Sequence, residues 1–340
     1  MSLFKVTALR EKFPPLIFHI IYFLFAVTFC FLFYLKVVKA ADFGSQTGIN
    51  AVLSFDTVRP FQYRLLVPFL IKLFSPLHFI PFKALFMVYS VAVVYLIILA
   101  YYYILTEYFE NNLINALLAP FIIYPMIWNY ILVNDTFQYY DFTAILLFTM
   151  GLYFILKDNF KALLIIFIIG LINKETIVYL IFAYLLFNYK SVFTKKIILN
   201  TVILGVLFIA VKIALYFLFL ANPGAPVEWG YLKNIQTIST IWKNQIAAKD
   251  ILFSFGGLYI FAILLFITGK WKNFYGAELK GKLMINLVII PFIIVAAFTS
   301  YFEEVRVYTE LIPLFTTLFL IYLSSAKKVP IHYIGRHGTG

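Results

Sequence analysis

The sequence predicts an all-α polytopic membrane fold, on three observations. Hydrophobic residues fill 64% of the 340 positions and charged residues only 12%, with a mean hydropathy of +0.95. A water-soluble domain of this size needs far more polar surface. Apolar runs of about 20 residues recur along the whole length, matching the helix needed to cross a ~30 Å hydrocarbon core. The basic residues behind the net charge of +12 are scattered between those runs, as topology and anionic headgroups require. They do not form a nucleic-acid-binding patch. The single cysteine, Cys30, can form no internal disulfide and does not report on redox compartment.

The elements follow in order. Residues 1–14 carry Lys5, Arg10 and Lys12 and are expected on the cytoplasmic side. A first span over about 15–35 is too long for a signal-peptide core and is read as retained. Residues 36–83 form a long first outer loop. Its end, 65–82, holds Pro68, Pro76, Pro81 and Lys72, which suits short interfacial helices better than a crossing. Spans follow at about 84–105, 114–133, 142–157, 162–172, 177–189 and 197–220. After a second long outer loop, 221–250, come spans at about 251–268, 284–300 and 311–324. The chain is thus one transmembrane domain, 1–340, with about ten crossings and both ends inside. The short basic loops "KDNFK", "NYKSVFTKK" and "GKWKNFYGAELKGK" then all fall inside. "NDTFQYYD" has no basic residue and falls outside. "TEYFENN" breaks the pattern, though acids weigh little in it. A crossing at 65–82 would invert every later loop.

"IIGLINKETIVYL" (168–180) sits between two inside loops, so the run goes out and returns. Each half has only about 11–13 residues, or ~17–20 Å of helix, short of a bilayer. The "NKET" turn therefore lies below the outer surface, where charge is tolerated only within protein or beside a watery cavity. The plainer reading is a turn in which Asn173 caps the returning helix and Lys174 and Glu175 neutralise each other. Most carboxylates fall on the same outer side, together with cations at membrane depth: Arg64, Lys174, Lys212 and Arg306. That combination suggests chemistry on a lipid-linked phosphate. In "SYFEEVRVYTELIPL" (300–314) the spacing of Glu303, Arg306 and Glu310 puts them on one helical face. They form either a structural ion triad or a bidentate phosphate grip steadied by glutamates. Lys212 either snorkels to the surface or lines the same cavity. "NDTFQYYD" reads as a solvated turn or as an acidic lip. The four histidines show no metal-ligand spacing, and there is no phosphate-cradling glycine loop.

The order of these motifs resembles the GT-C superfamily, the multi-spanning glycosyltransferases that use polyprenyl-phosphate sugars, in bacterial form. "RPFQYRLLVPFL" (59–70) looks like the aromatic–Tyr–Arg–x–Leu–x–Pro stretch that closes the first outer loop in some bacterial members. "NKET" resembles a Lys/Arg–Glu–Thr element between later spans, and "EEVRVYTELIP" a Glu–x–Arg…Pro element. Two departures stand out. Asp42 is followed by Phe43 and Gly44 rather than a second acid, and no large C-terminal outer domain is expected in these 340 residues. The resemblance implies an inverting transfer to a glycan, lipid or protein acceptor on the outer face of a bacterial inner membrane, as in making cell-envelope polysaccharide. It implies Asp42 as general base, with Asp56 and Asp141 as alternatives. Donor-phosphate binding falls to Arg64, Lys174 and Arg306, with Tyr63, Asp135, Glu175, Glu303, Glu304 and Tyr308 in support. Members differ over a divalent metal, so that cofactor stays open. Rival readings are a flippase for a lipid-linked sugar, an O-antigen-type polymerase or ligase, and an inactive scaffold.

Overall fold

The computed structural model describes residues 14–39, 48–74, 81–133, 138–227, 229–240, 245–268, 282–301 and 304–326. They are all helix, turn and loop, with no strand among the described residues. Seven helices are long and apolar enough to cross a bilayer: α1 Leu16–Val38, α4 Phe82–Tyr108, α5 Asn112–Leu132, α9 Lys195–Leu218, α11 Ala248–Ile267, α12 Lys282–Thr299 and α13 Val305–Ser324. Three shorter apolar helices, α6 Asp141–Leu156, α7 Phe160–Leu171 and α8 Glu175–Phe187, lie on the sequence's three predicted short spans. Two short helices, α2 Ile49–Leu53 and α3 Leu66–Leu73, occupy the first loop. A third, α10 Tyr231–Thr240, occupies the second. The chain is a multi-pass, all-α membrane protein. Its lipid-facing helices expose large apolar side chains such as Leu24, Phe31, Val206, Ile209 and Ile294, as expected when hydrocarbon is the solvent.

The centre is built on α6, almost all of which is buried. It packs against α4 on one side and α7 on the other, and α1 packs against α4. Aromatic contacts fill the interior: Phe33, Tyr130 and Phe142 meet edge to face at 5.0–6.3 Å, a favoured arrangement for ring quadrupoles. At the far end of α6, Glu107 pairs with Lys157, and Lys282 donates to the Glu107 carbonyl at 2.8 Å. Lys282 Nζ also lies 3.7 Å from the Glu107 carboxylate, so two lysines from neighbouring elements compensate Glu107, one of the two acids in "TEYFENN".

Candidate functional site

The site is organised by the α7–α8 turn. Both Asn173 and Lys174 donate their backbone N–H to the Gly170 carbonyl at 2.9 Å, closing α7. Gly170 has to be glycine here, because a Cβ would sit 2.5 Å from the Ile177 side chain. Lys174 is fully extended (φ −160°, ψ 139°), so its side chain and that of Glu175 leave the backbone in opposite directions. They do not neutralise each other. Nor does Asn173 cap α8: it donates from Nδ2 to the Tyr140 carbonyl at 3.2 Å, tying the turn to the start of α6. The first loop docks on the same turn, with the Leu66 N–H donating to the Ile172 carbonyl at 3.0 Å. That bond brings Arg64, two residues earlier, alongside Glu175.

Two charge clusters result. In the deeper one, Lys174 Nζ lies 2.8 Å from Glu310 Oε1 and 3.6 Å from Asp141 Oδ1, and the three side chains are 5%, 1% and 1% exposed. Thr176 donates to Glu310 at 2.5 Å, and the Gln138 N–H to the other Asp141 oxygen at 3.0 Å. In the outer cluster, Arg64 donates to Glu175 at 2.7 Å and to the Tyr140 hydroxyl, and its guanidinium stacks on Phe61. Lys212, reaching in from α9, stands 3.8 Å from the other Glu175 oxygen and over the Tyr63 ring. Burial holds the phenols of Tyr63 and Tyr139 above their usual values, with Arg59 and Arg64 respectively opposing it. Both are therefore neutral near pH 7.

Arg306 completes the ring of cations, but without the expected Glu310 partner. Residues Val305–Leu311 form a 3₁₀ helix. At three residues per turn, positions four apart are turned by ~120° instead of sharing a face. Arg306 bonds Glu304 at 2.7 Å, while Glu310 turns away to Lys174. The same period puts Val305, Tyr308 and Leu311 on one stripe, with Arg306 off it.

A cavity of about 440 Å³ is lined by Tyr63, Arg64, Tyr140, Lys174, Glu175, Lys212, Glu304 and Arg306, among others. It thus gathers four cations from the first loop, the α7–α8 turn, α9 and α13. Across the 3₁₀ wall is a second cavity of about 600 Å³, lined by Val305, Tyr308, Leu311 and apolar residues of α11 and α12. Of the sequence candidates, Tyr63, Arg64, Lys174, Glu175, Glu304 and Arg306 meet at the first cavity and Tyr308 at the second. Asp141 lies just behind, on Lys174. Asp56 is exposed on a turn and is not among the residues lining either cavity. Asp42, Asp135 and Glu303 lie outside the described residues. Tyr140 and Thr176 were missed as site residues, and Glu310, expected beside Arg306, serves Lys174 instead. Each sits inside a motif the sequence singled out, but only the tertiary contact shows which cation it serves. Among the described residues, no three His, Cys, Asp or Glu side chains cluster as a metal site.

No protein-family profile, curated protein or solved structure matches the chain.

Proposed function

We propose that the chain is a GT-C-type glycosyltransferase that moves a sugar from a polyprenyl-phosphate donor to an acceptor. One observation carries the reading: a cavity ringed by Arg64, Lys174, Lys212 and Arg306 adjoins an apolar cavity of about 600 Å³. A ligand suited to both has an anionic head and a long hydrocarbon tail. Four cations at membrane depth are costly without anionic partners or water. Asp141 and Glu310 compensate Lys174, whereas Glu175 and Glu304 offset only part of the charge of Arg64, Lys212 and Arg306.

In the proposed reaction, an acceptor hydroxyl or amine attacks the anomeric carbon from the face opposite the phosphate. Its proton passes to a carboxylate base as the new bond forms. The anomeric carbon–oxygen bond to phosphate breaks, and the electron pair leaves on the phosphate. Arg64 and Lys212 hold that growing charge in a low-dielectric pocket, where preorganised donors are most effective, and Arg306 contributes from the 3₁₀ wall. Arg306 requires movement only away from Glu304, a half-exposed partner. Neutral Tyr63 supplies a phenolic donor. Asp42 is assigned as the base because it closely follows the first span, which limits its reach from the membrane. Asp141 fits that role less well, since it is buried and faces Lys174. The site is assigned to the outer face, and a cysteine at Gln138 should react with a membrane-impermeant reagent added outside.

The test uses purified protein in vesicles, supplied with a fluorescent polyprenyl-phosphate sugar and candidate acceptors. Sugar-bearing product supports transfer. Movement of the donor between leaflets without product supports the flippase reading instead. Asp42→Asn should lower turnover by ~10²–10⁴-fold, the usual worth of a general base, while donor binding persists. Unchanged turnover in Asp42→Asn, Asp56→Asn and Asp141→Asn would end the proposed mechanism.

A further inference from the structure

The second long loop contains a helix whose polarity is inverted. In α10 the buried residues are polar, Asn234 and Thr237, and the exposed ones include Tyr231, Leu232, Ile235 and Ile238, at 42–66%. At about 100° per residue the helix divides into three strips. Asn234 and Thr237 face the protein. Tyr231, Leu232, Ile235 and Ile238 form a largely apolar strip that includes Ser239, whose hydroxyl donates to the Gln236 carbonyl at 2.8 Å, and Lys233, Gln236 and Thr240 form a polar one, both exposed. A helix between protein and water needs two strips. A third, apolar and outward, needs another solvent.

Hydrogen bonds fix where this helix lies. Gly230 N–H donates to the Phe298 carbonyl at 2.8 Å, and Asn234 Nδ2 donates to the carbonyls of Ala297 and Ser300, each at 2.7 Å. Gly230 allows the approach, because a Cβ there would be 2.2 Å from the Ser300 oxygen. These carbonyls belong to the last turn of α12, a span, so α10 sits at the level where that span leaves the hydrocarbon. α12 likewise exposes large apolar side chains, Ile290, Ile293, Ile294 and Phe298. Trp229, 67% exposed, stands at the start of α10, as amphipathic rings do at the membrane–water boundary.

We infer that α10 is an interfacial helix that lies in the plane of the bilayer, with Leu232 and Ile235 in the acyl region of the leaflet on the Thr299 side. The occupant of its apolar strip is lipid. Ile238 of α10 also lines the apolar cavity, together with Ile251 of α11. The helix is therefore a rim between that cavity and the surrounding lipid, and an apolar chain can reach the cavity sideways past it. This goes beyond the transfer chemistry proposed above and stands without it.

The test is spin labelling of the full chain in phosphatidylcholine–phosphatidylglycerol vesicles. Single cysteines replace Leu232, Ile235, Gln236 and Thr240, one at a time, in a Cys30→Ala background. Labels from Leu232→Cys and Ile235→Cys should collide several-fold more with molecular oxygen, which concentrates in acyl chains, than with a water-soluble nickel chelate. Labels from Gln236→Cys and Thr240→Cys should show the reverse. Three results would overturn the inference. All four labels could favour the nickel chelate. Leu232→Cys and Ile235→Cys labels could be shielded from both reagents. Or they could show dipolar broadening that vanishes on dilution with unlabelled chain, which would mean that a second copy covers the strip.

Discussion

The two charge clusters share the "NKET" turn yet are opposites in stoichiometry. The deep cluster has two carboxylates, Asp141 and Glu310, for one cation, Lys174, and none of the three side chains is more than 5% exposed. The outer cluster has two cations, Arg64 and Lys212, for one carboxylate, Glu175, and its members are 10–37% exposed. The first is saturated with acid and has no capacity for an incoming anion. The second has a net positive charge and faces the cavity. Counting cations along the sequence makes Lys174 the natural phosphate ligand. Counting their partners moves the proposed phosphate-binding role to Arg64 and Lys212 and makes Lys174 the pin that joins α6, the turn and α13. The lesson is that a buried cation is available to a ligand only to the extent that its neighbours leave it uncompensated.

The largest expected effect falls on the deep cluster. Lys174→Met leaves two carboxylates buried and unpaired, and breaking such a pair costs ~3–5 kcal/mol. The melting temperature of the detergent-solubilised protein should drop sharply. Adding Glu310→Gln should recover part of the loss, because one of the stranded charges is removed. A strictly additive double variant would show that the residues do not act as a unit. The outer cluster should respond in the opposite way. Lys212→Ala removes a partly exposed cation at 3.8 Å, so the melting temperature should hardly move. Binding of a short polyprenyl phosphate should weaken about tenfold or more, in line with ~1.5–3 kcal/mol for a hydrogen bond to a charged group. A smaller effect is expected for Glu175→Gln. It removes the acid that competes for Arg64 and Lys212, so phosphate binding should tighten a few-fold. Weaker binding would mean that Glu175 holds the cations in place more than it opposes the ligand.

Much of the fold was legible because hydropathy is written locally. Each predicted apolar stretch carries a helix, and the break between α7 and α8 was visible as polar residues interrupting one apolar run. The convergence of Arg64, Lys174 and Arg306 on one cavity was also legible, because charge at membrane depth needs company. The pairing within the site was not. Whether Lys174 turns to Glu175 or to Glu310 depends on one extended backbone residue. Whether Arg306 shares a face with Glu310 depends on a 3₁₀ turn in place of an α-turn. Neither conformation has a marker in the residues themselves, since "EVRVYTEL" suits either helix by composition. The inverted polarity of α10 was hidden for a related reason. "YLKNIQTIST" lies in what the sequence shows only as a long outer loop, until Asn234 and Thr237 are seen buried and Asn234 bonded inward.

The proposed function stands or falls on whether the outer cations hold the phosphate of a lipid. The most direct measurement titrates the purified chain with a short polyprenyl phosphate and with the matching polyprenol, comparing unmodified protein, Lys212→Ala and Arg64→Lys. The unmodified chain should bind the phosphate tightly and the alcohol weakly, and both variants should lose most of that difference. Equal binding of phosphate and alcohol, or a phosphate affinity that both variants retain in full, would contradict the proposed function.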